Sequence, residues 1–99
     1  MSKMELKNIT TTIQSHLPVL RKDYCVQRIG IFGSFSRGTQ KTKSDIDIMV
    51  SFSEPVGMFH FIHTENYLHR ILRRKVDLVT EGALKPEIRK AILSGVRYI

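Results

Sequence analysis

Asp45 and Asp47 flank a single isoleucine in the run Asp45-Ile46-Asp47-Ile48-Met49-Val50, and that spacing can do chemistry. In a strand, residues i and i+2 project from one face, so the two carboxylates stand side by side while Ile46, Ile48 and Val50 point the other way into a core. Two carboxylates this close repel each other unless a cation shares them. A hard divalent ion is the natural guest. Magnesium takes oxygen ligands, retains waters and is commonly held by one or two carboxylates together with the phosphates of a substrate. A triphosphate is the implied second guest.

The residues upstream fit that second guest. Ile29-Gly30-Ile31-Phe32 is an apolar strand that ends on Gly33-Ser34 and leaves through Arg37-Gly38 into a polar loop. A glycine after a strand lets backbone come close to an anion, and N–H groups at a following helix start can hold phosphate together with the serine hydroxyl. Arg37, about a turn further on, would add a fork of charged donors. If this loop is to meet the aspartates at the start of the next strand, both must lie at one edge of the sheet, and the two strands run antiparallel.

Gly33-Ser34, ten residues, then Asp45-Ile46-Asp47 resembles the signature of the DNA polymerase beta nucleotidyltransferase superfamily, and Lys75-Val76-Asp77-Leu78-Val79 is similar to the strand that brings its third carboxylate. The short chain, with Gly-Ser-x-x-Arg-Gly and a later Arg-Lys-Val-Asp-Leu-Val, resembles the minimal nucleotidyltransferases, including antitoxin partners of HEPN-domain toxins. The likeness runs from about Val26 to the C-terminus. It implies that Asp45, Asp47 and Asp77 are catalytic and hold two Mg2+ ions, and that Gly33, Ser34 and Arg37 hold the phosphates of ATP. It further implies transfer of AMP to a tyrosine hydroxyl of a cognate HEPN toxin, which the AMP would silence.

These expectations compete with plainer ones. Each aspartate alone could be a solvated strand residue, and Gly33-Ser34 an ordinary turn; their joint order and spacing favour a nucleotidyltransferase site. Two other functions stay open: a binding module that blocks its partner sterically without catalysis, and an enzyme that modifies a small-molecule hydroxyl.

Composition narrows the setting. Ninety-nine residues suit one domain, with a catalytic core at about 26–80 and no room for a separate substrate domain. Apolar residues at 41% and charged residues at 25% are ordinary for a globular chain. No apolar run reaches the length of a membrane span, and the lysine-bearing N-terminus has no signal-peptide core, so a cytoplasmic protein is expected. The single cysteine, Cys25, fits a reducing compartment and reads as a packing residue. A formal charge of +7 calls for an anionic partner. Basic residues gather at Lys41/Lys43 and at Arg70/Arg73/Arg74/Lys75, without the interleaved aromatics of a base-stacking platform, so nucleic acid is disfavoured as a direct substrate. His60, His63 and His69 lack the companions that would complete a zinc set, and Tyr24, Tyr67 and Tyr98 read as packing groups.

The positioning elements follow from periodicity. Leu6, Ile9, Ile13, Leu17 and Leu20 make one helical stripe, broken at Pro18, which either kinks the helix or opens a second short one after Ser15. Val26–Phe32 and Asp45–Phe52 read as strands. Met58, Phe61, Ile62, Leu68, Ile71 and Leu72 trace a helix over 58–74 whose stripe should be core. Val76–Thr80 is a third strand, parallel to the second if Asp77 is to reach the same edge. Pro86 opens a last helix with Ile88, Ala91, Ile92 and Val96 on its inner side. The expected fold is α/β (α+β), a small mixed sheet packed with helices.

Overall fold

The computed structural model of the chain describes residues 2–33 and 45–99. Two helices come first, α1 (Ser2–Ser15) and α2 (Leu17–Asp23). Pro18 sits in the first turn of α2, where its missing N–H costs nothing, so the chain takes the second of the two arrangements open to it: a break at His16 and a fresh helix start. The strands β1 (Val26–Phe32) and β2 (Ile46–Phe52) follow, then the helix α3 (Met58–Leu72) and β3 (Val76–Thr80). A 3-10 turn at Glu81–Ala83, the helix α4 (Pro86–Ser94) and a two-residue strand β4 (Arg97–Tyr98) complete the described residues.

The sheet has the order β3-β2-β1-β4. β1 pairs antiparallel with β2, and β2 pairs parallel with β3, the arrangement that a shared carboxylate edge demands. A parallel pair needs a crossover of a dozen or more residues, and α3 is that crossover. It stops at Arg73, which adopts a left-handed φ of 54° and turns the chain toward β3.

The core lies on one face of the sheet. Ile29 and Ile31 of β1, Ile46, Ile48 and Val50 of β2, and Val76 and Leu78 of β3 pack beneath Ile9 and Ile13 of α1, Leu20 of α2 and Leu68 of α3. The alternation in β2 thus does what its pattern promised. The α3 stripe does so only in part: Phe61, Ile71 and Leu72 pack against this cluster, whereas Met58 is 76% exposed and Ile62 40%. Ala91 of α4 is likewise exposed, with Ile92 and Val96 half-buried.

The opposite face is closed at its middle, which the alternation of β2 did not announce. Met49, on the same face as Asp47, is only 1% exposed. Gly30 is pressed by the Val96 side chain, the Arg97 carbonyl at 3.1 Å and the Tyr98 ring at 3.2 Å, measured from where a Cβ would stand, so only glycine lets β4 close there. The Arg28 guanidinium lies 5.2 Å from the centre of the Tyr98 ring and pairs with Glu81 at 2.7 Å, tying β1, β4 and the 3-10 turn together. Asp47 and Asp77 lie together at one end of this face, near the start of β2 and β3.

Ile48 sits at the centre of the core with no exposed surface. Ile48→Ala is expected to cost about 2–5 kcal/mol in urea denaturation, because the surrounding strands cannot collapse into the cavity.

Candidate functional site

Three strand ends build the site. Asp47 is paired in register with Asp77 across the parallel β2–β3 ladder and with Phe32 across the antiparallel β1–β2 ladder. Residues in register on neighbouring strands point to one face, so Asp47 and Asp77 are lateral neighbours. Their core-side neighbours Ile46 and Val76 point the other way. Asp45 precedes β2 on the same side, half-exposed, with its Oδ2 3.8 Å from Lys75 Nζ. The Lys75 carbonyl accepts the Ile46 N–H at 2.9 Å, which anchors the start of β2 to the entry of β3.

Gly33 closes the rim from the β1 side. It has a φ of +73°, and a Cβ placed on it would collide with Oδ2 of Asp47. Glycine is therefore required twice over, by the left-handed backbone and by the carboxylate against it. The backbone that leaves β1 is thus in contact with the central carboxylate. Ser34 and Arg37, expected to hold phosphate with Gly33, and Lys41 and Lys43 beside them, lie outside the described residues.

The donor set suits a magnesium ion that shares its ligands with a phosphate. Among the described residues no group of three or more His, Cys, Asp or Glu side chains closes on a point to form a complete cage. One or two carboxylates on an open rim, with a glycine turn admitting phosphate beside them, is the arrangement such an ion uses. Asp47 and Asp77, in register on one face, with Asp45 just before β2, are carboxylates of the kind such an ion uses.

β3 is the outer strand of the sheet, and its outward N–H groups need cover. The Leu78 N–H, directly after Asp77, donates to Oε2 of Glu65 on α3 at 3.2 Å. Glu65 therefore holds the backbone that carries Asp77. The sequence reading missed it, since its role depends on β3 being an edge, and the only early signal was an acidic residue on the sheet-facing side of α3. His60, Tyr24 and Tyr67 serve packing, whereas His63, His69 and Tyr98 are exposed. His60 Nε2–H donates to the Tyr24 carbonyl at 2.6 Å, and the Tyr24 and Tyr67 rings are 4.9 Å apart. Burial, with Tyr24 close by, pushes the Tyr67 phenol up.

Two substitutions test this geometry. Gly33→Ala is expected to destabilise the fold by about 1–3 kcal/mol. The cost should fall in an Asp47→Ala background, where the colliding carboxylate is gone, and a double-mutant cycle in urea measures the difference. Glu65→Ala should speed amide hydrogen exchange at Leu78 about fivefold, the loss of one hydrogen bond of roughly 1 kcal/mol, while Glu65→Gln keeps most of the protection.

Comparison with known proteins agrees with the geometry. Residues 13–99 match the family model described as nucleotidyltransferase domain. The protein adenylyltransferase MntA of Thermococcus cleftensis is 39% identical over 99 residues, covering 100% of both chains. A solved minimal nucleotidyltransferase superposes with a TM-score of 0.81 at 26% identity, covering 93% of each chain. A toxin–antitoxin structure with AMP-PNP superposes with a TM-score of 0.69 at 27% identity, over 85% of this chain and 69% of that one. With a family match over most of its length and the carboxylates and glycine turn brought to one edge, the chain belongs to the nucleotidyltransferase family.

Proposed function

We propose that this domain, with residues 26–80 as its catalytic core, transfers AMP from ATP to a tyrosine hydroxyl of a partner protein and thereby neutralises a HEPN-domain toxin. The observation that carries the chemistry is the register pairing of Asp47 with Asp77, with Gly33 packed against Asp47 from the other side. The choice of a protein acceptor is supported by the full-length match to a protein adenylyltransferase and by the likeness to a toxin–antitoxin structure holding AMP-PNP.

In this reading the β1 side of the rim holds the nucleotide and the β3 side receives the acceptor. The backbone at Gly33, with Ser34 and Arg37, holds the β- and γ-phosphates, so the leaving group stays anchored while the α-phosphorus is attacked in line. Asp77 takes the phenolic proton as the tyrosine oxygen bonds to the α-phosphorus, and the bond to pyrophosphate breaks. Asp45, Asp47 and Asp77 would hold two Mg2+ ions, which neutralise charge on the phosphates and on the entering and leaving oxygens when bound. Lys75, near Asp45, offsets part of the negative charge of the rim.

The test uses α-labelled ATP, magnesium and a HEPN-domain partner. Label should appear on a tyrosine, vanish with EDTA, and fall by about a hundredfold or more in Asp45→Asn, Asp47→Asn and Asp77→Asn. An Asp45→Ala/Asp47→Ala protein that silences the partner as well as wild type, without label transfer, would replace this reading with steric neutralisation. Label on a small hydroxyl compound in place of protein would move the acceptor to another class.

A further inference from the structure

The end of α3 and the entry to β3 form an open groove of about 590 Å³ lined by Asn66, His69, Arg70, Arg73, Arg74 and Lys75. Some of this charge has an ordinary role, since His69 and Arg70 lie in the last turn of α3 and complement its dipole. Arg70 also lies 5.7 Å from the centre of the Tyr67 ring, and Lys75 faces Asp45. Arg73, Arg74 and Lys75 lie beyond the helix, on the segment that turns into β3. One residue joins the groove to the rim: Lys75 lines it and stands 3.8 Å from Asp45, and Asp77 is two residues on in the sequence. It also lies on a particular side. Gly33 abuts Asp47 from β1, while β3 is the outer strand, so a guest in this groove approaches the rim from the side opposite the phosphate turn.

We propose that this groove is the docking surface for an acidic segment of the acceptor protein, which delivers the adjoining hydroxyl to Asp77. The inference deepens the reading of the site as a protein adenylyltransferase and rests on it for the acceptor being a polypeptide. Charge complementarity names the occupant: three arginines, a lysine and a histidine in one open channel fit carboxylates, with the arginines able to bind them bidentately. A nucleic acid fits less well. Among the described residues no Phe, Tyr or Trp lines the groove to stack a base, and a phosphate backbone that followed it to Lys75 would meet the Asp45 carboxylate. An acidic peptide can end its charge before the rim and present an uncharged tyrosine there.

The test measures binding apart from turnover. A fluorescein-labelled oligoglutamate peptide ending in tyrosine is titrated with the full chain by anisotropy at low and high salt, beside an oligouridylate of equal charge and inorganic tripolyphosphate. The peptide should bind more tightly than the oligouridylate, weaken with salt, and lose about tenfold or more in affinity in Arg70→Glu/Arg73→Glu, as expected for reversing two exposed charges. Circular dichroism checks that the variant is folded, and Arg70→Lys/Arg73→Lys should retain most of the binding. Equal affinity in wild type and the Glu variant, tighter binding of the oligouridylate, or displacement of the peptide by stoichiometric tripolyphosphate would overturn the proposal. AMP transfer to the peptide is scored separately. Groove-dependent binding without transfer to any protein would sink the adenylyltransferase reading and leave an acidic-peptide groove; transfer to a HEPN partner that ignores the Glu substitutions would do the reverse.

Discussion

The parallel pairing of β2 with β3 is the constraint on which the rest of the molecule depends. Asp77 lies thirty residues beyond Asp47, and the ladder places the two in register on one face. That register is held from both sides of the sheet. Ile46, Ile48, Val76 and Leu78 on the buried face would all move to the solvent face if either strand slipped by one residue, and Ile46 and Ile48 are fully buried. The hydrophobic core therefore positions the carboxylates without touching them. Close approach of two acidic groups is unfavourable by itself, and burial on the far side of the sheet offsets it.

The remaining elements keep that pairing in place. α3 provides the return path for a parallel connection, and its Glu65 accepts the outward-facing Leu78 N–H of the edge strand. β1 fills the opposite side of β2 and ends at a glycine pressed onto Asp47. The C-terminal arm pairs with β1, with Gly30 giving room for β4 and Arg28 pairing with Glu81. The acidic rim lies at one end of the face opposite the core, and the basic groove at the end of α3 meets it through Lys75, which stands beside Asp45.

Most of this was legible in the sequence because two periods and one spacing carried it. The alternation Asp45-Ile46-Asp47-Ile48 fixed which side chains faced the core, and the need to bring Gly33 to Asp47 set β1 antiparallel to β2. Pro18 and Pro86 marked helix starts. The parts that were missed depend on nonlocal packing. β4 is two residues long, too short for a periodic signal, and it exists because Gly30 leaves space for it. Met49 breaks the polar side of the β2 alternation and is nonetheless buried. Met58 and Ile62 fit the helical period yet remain exposed, because periodicity records the face of a helix and not how much of it is covered. The roles of Ser34 and Arg37 rest on their place in the motif, as both lie outside the described residues.

The central claim is that Asp45, Asp47 and Asp77 act as one cation-sharing rim completed by the phosphates of a nucleotide. Paramagnetic relaxation by Mn2+ in the NMR spectrum of the isotope-labelled chain tests it most directly, recorded with and without a non-hydrolysable ATP analogue. Broadening of the amides around Asp45, Asp47, Asp77 and Gly33 that strengthens when the analogue is added is the result this account predicts. Broadening centred on the α3 histidines, or unchanged by the nucleotide, would contradict it.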